Sequence, residues 1–420
     1  MANLFDFLSW RGDLPFEAVP PGEADELLLA QLSYVFFDGI VPGLKEGGAV
    51  PLGEAARQLL KTDPDAKQIH QIGYMWRDDK RLLETLIDCP RYQRLPIFGY
   101  ESALDEDAQF GALCIRVTDE LTCVSFRGTD DTLIGWKEDC ALSFNDPVPA
   151  QQMSADYLRR VAEATKGPLL VVGHSKGGNL AVYSAATAGP DVRARIQSIV
   201  SCDGPGVNHA LFDAAEYREI ADRIFKFVPQ SSVVGMLFES DNRYAVISSD
   251  GLGLLQHSAF SWQIMGGRLV RREQPTATSK YFNGVIKQWL DDMDVEKRKV
   301  FVTALFEVLA TTELTSVDQI DAKFLLRLPG ALVKMRSVDP TLRAQLRGEI
   351  RALLWRALHP DADAADRDTA PEAPPPSEQE PPVQDDAPRL SLPPSKPAPE
   401  KEAPAASRLT LPERPQALRF

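Results

Sequence analysis

The chain has 420 residues, with 46 Lys+Arg against 60 Asp+Glu for a formal net charge of −14. An acidic balance of that size argues against a dedicated nucleic-acid binder, which presents a basic face to phosphates. At 44% hydrophobic and 25% charged the composition is that of a soluble protein long enough for a large core, and no apolar run approaches the roughly 18–20 residues of a transmembrane helix.

From Met1 the chain reaches Arg11 and Asp13 without a basic n-region, so no secretory signal is expected and the location reads as cytoplasmic. The cysteines (Cys89, Cys114, Cys123, Cys140, Cys202) are widely spaced, with no CxxC or Cys/His cluster. They are expected to be reduced, buried thiols without metal. Residues 23–38 and 78–88 have the spacing of amphipathic helices. Two β-rich runs, 111–118 and 121–127, flank Asp119-Glu120 and predict a hairpin. Residues 154–166 place Leu158, Val161 and Ala162 on one helical face and stop at Gly167. The continuous apolar run 168–173 predicts a buried parallel strand, followed by an Ala-rich helix over 177–188. Further strands are expected at 197–202, 223–228 and 244–248. Strands alternating with helices indicate an α/β fold built on a mostly parallel sheet flanked by helices, over residues 1–290.

Beyond the sheet, residues 295–311, 317–327 and 341–358 read as a helical C-terminal extension (291–359). Asp294 and Asp339 sit near N-caps, Pro340 at a first helical position, and Pro329-Gly330 at the break between the second and third helices. The segment 360–420 holds 14 prolines in its last 60 residues and carries 7 basic and 12 acidic residues. It is too poor in apolar surface to offset its ordering entropy and is expected to be a disordered tail. Within it Arg389-Leu-Ser-Leu-Pro393 recurs as Arg408-Leu-Thr-Leu-Pro412. The repeat is either a pair of docking motifs for a protein partner or a chance similarity in biased sequence.

The segment that carries chemistry is Gly173-His174-Ser175-Lys176-Gly177-Gly178-Asn179-Leu180-Ala181. It holds G-x-S-x-G between a predicted strand and a predicted helix, the context of a nucleophile elbow. Small neighbours let the serine sit on a tight turn at a helix N-terminus, where developing negative charge is favoured. A phosphate-binding P-loop is excluded, because Lys176 is followed by glycine where Ser or Thr is required. An acyl-transfer site also needs donors for the oxyanion. Phe126-Arg127-Gly128-Thr129-Asp130 ends the preceding β-run, so the Thr129 N–H, with its hydroxyl as a further candidate, pairs with the Lys176 N–H. Arg127 is expected in an internal ion pair, with Asp139 as candidate partner. Of five histidines, His174 lies in the elbow, His70 precedes the sheet, His359 borders the tail and His209 follows its strand too closely. His257, in a loop after the last strand, is the candidate base. For the acid, Asp203 follows the strand 197–202, while Glu239 and Asp241 follow an apolar segment, 233–238, that suits a lid or an acyl-pocket wall.

At these residues the sequence resembles the Mbeg1-like family of bacterial proteins, a branch near the class 3 (fungal-type) lipases of the α/β-hydrolase fold. The marks are Trp10-Arg11-Gly12-Asp13-Leu14, F-R-G-T-D at 126–130, G-H-S-K-G-G-N-L-A at 173–181, D-G-P-G at 203–206, and Gln256-His257 with Ser261-Trp262-Gln263, spanning roughly residues 1–310. The resemblance implies Thr129 in the oxyanion loop and Ser175 as nucleophile. It also marks a departure: class 3 lipases place the acid in a D-x-V-P-like segment where this chain has Ser231 or Ser232, and Asp203 on the preceding strand is similar to the pancreatic-type arrangement. The expectation is a cofactor-free serine hydrolase of small-molecule or lipid esters, with Ser175, His257 and Asp203 as triad. Thioester hydrolysis or acyl transfer on the same residues is one alternative. The other is a catalytically degenerate scaffold acting through its tail.

Overall fold

Five strands of the computed structural model run parallel in sequence order: β4 (Thr122–Phe126), β5 (Leu169–His174), β6 (Ile196–Cys202), β7 (Ile224–Pro229) and β8 (Ala245–Ile247). Antiparallel strands extend both edges. β3 (Gln109–Arg116), β2 (Pro96–Leu104) and β1 (Val50–Pro51) lie beyond β4, and β11 (Arg271–Arg272) lies beyond β8. A separate ribbon pairs β9 (Ile264–Met265) with β10 (Arg268–Leu269). The structure describes residues 2–63, 76–104, 109–129, 138, 141–142, 147–238, 243–251, 253–291, 294–299 and 348. They fall in the unit Met1–Gln379. A second unit, Glu380–Phe420, the helix expected at 317–327, that expected at 341–358 apart from residue 348, and the repeated R-L-[ST]-L-P motif lie outside the described residues.

The run 169–172 is apolar throughout because β5 is covered on both faces. Leu170 and Val172 enter one core with Val200 and Cys202, while Leu169 and Val171 enter the other with Val124 and Phe126. The first core is closed by α1 (Leu4–Arg11), α2 (Glu23–Leu32), α3 (Leu52–Thr62) and α4 (Trp76–Leu86). The second is closed by α5 (Pro149–Ala164) and α6 (Lys176–Thr187). The α/β architecture with helices on both sheet faces is the expected one, and the hairpin at Asp119-Glu120 forms, with Thr118 Oγ1 accepting the Leu121 amide. The helix predicted over 23–38 ends at Leu32. There the Ser33 hydroxyl donates to the Ala30 carbonyl, and the amides of Tyr34 and Val35 reach back only to Gln31 and Leu32, a tightening turn. β2 is not anticipated from the sequence, because Gly99 and a register shift between Phe98 and Glu101 break its alternation. The helices Leu4–Arg11, Leu52–Thr62 and Ala277–Asp291 also go beyond the sequence reading. Asp294 caps the segment 295–299, its carboxylate accepting the Lys297 amide at 2.8 Å.

Because β4 to β8 are parallel, the residues that follow them share one edge of the sheet, where α/β proteins bind ligands. Thr129, Ser175, Asp203, Ser232 and His257 follow β4, β5, β6, β7 and β8 in that order. One buried group beneath this edge sets a pH dependence. Glu26 of α2 has its pKa pushed up to about 8, by burial first and then by Glu23 and Asp25. The folded chain therefore holds this proton where the unfolded chain, with an ordinary value of 4.5, has lost it. That contribution is complete below about 4.5 and is lost as pH rises through about 8. Buried His174 is neutral in the folded chain, while its unfolded ring, with an ordinary value of 6.5, sheds its remaining proton just above that pH, so its opposing slope is small and fades toward pH 8. The thermal midpoint of the wild type is expected to fall by several degrees between about pH 6.5 and 8, and Glu26→Gln should flatten that fall. Parallel melting curves for the two proteins would disprove the assignment.

Candidate active site

Ser175 is the hinge between β5 and α6, with φ 58° and ψ −135°. The glycines around it are required by contact: a Cβ on Gly173 would meet the Gly177 carbonyl, and one on Gly177 would meet the Phe126 carbonyl at the end of β4. The Ser175 amide donates to the Cys202 carbonyl at 2.9 Å, and its carbonyl accepts the Gly178 amide at 2.8 Å. Only three described non-glycine residues have positive φ: Ser175, Asp203 (50°) and Phe238 (56°). Each such conformation costs about 1–3 kcal/mol, and such strain gathers at functional sites.

Asp203 is buried, and both of its carboxylate oxygens are used. Oδ2 accepts from His257 Nδ1 at 2.6 Å, while Oδ1 accepts the Ser232 hydroxyl at 2.5 Å and the Gly235 amide at 3.1 Å. Its own amide donates to the Phe227 carbonyl at 2.8 Å, joining β6 to β7. Asp203 is thus not a mere cap of the Gly204-Pro205-Gly206 turn. Glu239 and Asp241, the other candidate acids, lie outside the described residues. With Nδ1–H donating to the carboxylate, the Nε2 lone pair of His257 is left to accept a proton. Among the described residues no hydrogen bond joins the Ser175 hydroxyl to His257. The two residues are nevertheless neighbours, because the rings of His174 and His257 lie 4.6 Å apart and His174 Nε2 donates to the His257 carbonyl at 2.7 Å. His174 Nδ1 lies 2.9 Å from the Tyr34 hydroxyl. Burial, followed by the neighbouring His257, pulls the His174 pKa down to about 3.

The loop after β4 is held from behind. The Arg127 guanidinium donates to Ser102 Oγ at 2.8 Å and to the Phe110 carbonyl at 3.0 Å, and lies over the Phe36 ring at 4.4 Å. Its expected partner Asp139 lies outside the described residues. Thr129 is half-buried. Lys176 supplies the first amide of α6, and its side chain does separate work: Nζ donates to Glu138 Oε2 at 2.7 Å and to the Gln109 carbonyl at 2.9 Å, fully buried. Glu138 in turn accepts the Ala150 amide at 3.0 Å and the Gln109 amide at 3.2 Å. Asn179 accepts from Gln151 at 2.9 Å and donates to the Gly206 carbonyl at 2.8 Å, bracing the loop that carries Asp203.

Sequence reasoning singles out neither Ser232 as a donor to Asp203 nor Glu138, Tyr34 and Asn179. A signal for Ser232 was present, since the lipase resemblance puts the acid at Ser231 or Ser232. Glu138 and Tyr34 are joined to the elbow only through the fold, whereas Asn179 lies within the elbow segment itself. His209 begins the short helix His209–Phe212. Cys89, Cys114, Cys123 and Cys202 are free and buried, and Cys140 lies outside the described residues. Among the described residues no cluster of His, Cys, Asp and Glu is suited to a metal ion, and no helix is long and apolar enough to cross a membrane.

The profile of the Mbeg1-like family matches residues 86–307, more than half of the chain, and the chain belongs to that family. No curated protein matches the sequence. Among solved structures, a Rhizomucor miehei lipase propeptide complex is similar at 19% identity and a TM-score of 0.29, over 39% of this chain and 60% of that one. The chain thus spans less than two thirds of the length of that lipase. A crystal structure of M37 lipase is similar at 15% identity and a TM-score of 0.31, over 51% of this chain and 69% of that one.

The Lys176–Glu138 pair yields an expectation for stability. Lys176→Met leaves a buried carboxylate without its cation, which costs about 3–5 kcal/mol. Glu138→Gln keeps a neutral acceptor for Nζ and should cost less than Glu138→Leu. Urea midpoints at constant slope would measure both, and a Lys176→Met chain as stable as wild type would show that the pair contributes nothing net.

Proposed function

We propose that this Mbeg1-like protein is a serine hydrolase that cleaves carboxylic esters through an acyl-enzyme. The observation that carries the reading is the 2.6 Å bond from His257 Nδ1 to the buried carboxylate of Asp203, beside a strained serine on a strand–turn–helix elbow. In this mechanism Ser175 Oγ attacks the acyl carbon and passes its proton to His257 Nε2. Asp203 holds the imidazole in the needed tautomer and stabilises the imidazolium. The amides of Lys176 and Thr129 receive the oxyanion, the first aided by the N-terminus of α6. His257 then protonates the leaving alcohol, and water, deprotonated by the same nitrogen, releases the acid. Each step balances with the ester and water alone.

The half-buried apolar side chains of Val233, Val234, Met236 and Leu237 adjoin Gly235, whose amide holds Asp203. That neighbourhood favours an acyl group of apolar character, from a small-molecule or lipid ester. The tail, with its two R-L-[ST]-L-P copies, is assigned to a protein partner rather than to the chemistry.

A fluorophosphonate probe tests the reading directly. Labelling at Ser175 that is lost in Ser175→Ala supports it, and an inert Ser175 in the folded chain would favour a scaffold on a hydrolase fold. Ser175→Ala and His257→Ala should each lower kcat toward esters on the order of 10⁶-fold. Asp203→Asn, which favours the wrong tautomer, should lower it roughly 10⁴-fold. Near-normal turnover in His257→Ala would overturn the triad. Thr129→Gly preserves the backbone donor and should be mild, whereas a loss of roughly 10²–10³ would identify its hydroxyl as a donor to the oxyanion.

A further inference from the structure

We propose that Tyr34 and His174 are positioning residues: a one-way hydrogen-bond chain, Tyr34 hydroxyl to His174 Nδ1 and His174 Nε2–H to the His257 carbonyl, fixes the base against the nucleophile's elbow. The proposal rests on the hydrolase reading for its consequence in turnover, but not for the bonds themselves.

The direction of the chain follows from what each atom can do. The His257 carbonyl can only accept, so the nitrogen 2.7 Å from it, His174 Nε2, carries the hydrogen. A neutral imidazole has one N–H, which leaves Nδ1 as a lone pair facing the Tyr34 hydroxyl at 2.9 Å. The His174 carbonyl, 3.2 Å from the same hydroxyl, is a second acceptor on the same side. Neutrality is enforced by the surroundings. The ring is buried, lies tilted 4.6 Å from His257 and is edged by Tyr34 and Trp262 at 5.7 and 6.3 Å. Its lowered pKa keeps it uncharged across the range in which an enzyme of this kind works. A second positive ring here would oppose the imidazolium that His257 forms.

The mechanical consequence lies in which residues are tied. His174 is bonded covalently to Ser175, and His257 lies at the end of the turn Gly253–His257. A bond from residue 174 to the backbone of residue 257 therefore sets the separation of nucleophile and base. The Asp203 bond then sets the rotation of the ring. Together they fix position and orientation, the two requirements of a near-attack geometry. Tyr34 is wedged at the same junction: a Cβ on Gly128 of the oxyanion loop would collide with its hydroxyl and lie 2.9 Å from Ser175 Cβ. Tyr34 stands outside residues 86–307, so the N-terminal segment completes a site whose other members lie within the family's matched region.

The test uses the full chain, selectively ¹⁵N-labelled at histidine. His174 is expected as the Nε2–H tautomer, unchanged between about pH 5 and 8, and the His257 Nδ1 proton bonded to Asp203 is expected as a sharp downfield signal. His174→Leu should lower kcat by roughly 10- to 100-fold, the scale of a lost buried hydrogen bond, with KM nearly unchanged and the His257 proton signal broadened. His174→Gln, whose amide can donate to the same carbonyl, should recover most of both. Tyr34→Phe, a milder change suited to the case in which His174→Leu fails to fold, should loosen the tautomer of His174. An Nδ1–H tautomer in the wild type overturns the proposal. So does equal loss in the Leu and Gln variants with unchanged melting, which would make the ring mere packing. Inertness of the wild type toward esters and fluorophosphonate would remove the hydrolase reading, while the tautomer and the His257 proton would still decide the tie.

Discussion

A carboxylate with almost no exposed surface has to have its oxygens satisfied by protein donors, and Asp203 meets that demand with groups that follow two strands, β7 and β8. Its amide reaches β7 through Phe227, one oxygen takes the Ser232 hydroxyl and the Gly235 amide beyond β7, and the other takes His257 beyond β8. The left-handed backbone at Asp203 turns the side chain back across these loops instead of letting the strand continue. Removing the charge would leave the hydroxyl, the amide and the ring without a common acceptor, so the arrangement of the β6, β7 and β8 loops depends on it.

The elbow imposes the complementary constraint. Ser175 and Asp203 both hold positive φ, on adjacent parallel strands, and the Ser175 amide donates to the residue just before Asp203. One strained turn therefore leans on the other. Neither is stabilised by its own sequence. The compensation comes from α6 packing into the second core, and from the Lys176–Glu138 pair, which ties the start of α6 to the start of β3 and to α5. Burial of a charge next to Ser175 is costly in isolation. Here every acceptor around Nζ is fixed by a backbone element, which is the condition under which such a pair holds a shape.

The sheet and elbow were legible in the sequence because they rest on local signals. Leu169 to Val172 is apolar on both faces, and Gly173 and Gly177 flank the serine at positions where no Cβ fits. His257 and Asp203 could be chosen as candidates by their places after successive strands, a rule of parallel topology. What the sequence did not reveal is long-range by nature. Glu138 reaches Lys176 across 38 positions, and Tyr34 reaches His174 across 140. No periodicity encodes such pairs. The end of α2 was obscured for the same reason: residues 33–38 continue an apolar pattern, but Tyr34 is held by His174 instead of by another helical turn.

The place proposed for the acid shows how little separates two arrangements of one site. By the lipase resemblance the carboxylate belongs after β7, where this chain has Ser231 or Ser232, and in the proposed triad it stands after β6. Ser232 Oγ lies 2.5 Å from Asp203 Oδ1, so the ends of the two strands converge on one point beside the His257 ring. A carboxylate entering from either strand meets the same nitrogen, and the strand that does not supply the charge has room for a small donor to it. In the proposed triad the hydroxyl of Ser232 is the physical counterpart of the displaced acid: it keeps a polar group at the end of β7, adds a donor to the buried Asp203 carboxylate, and avoids a second negative charge, which would force one of the two carboxyls to take up a proton. The pairing of aspartate on one strand with serine on the next is what a single imidazole, needing one anion and one orientation, permits.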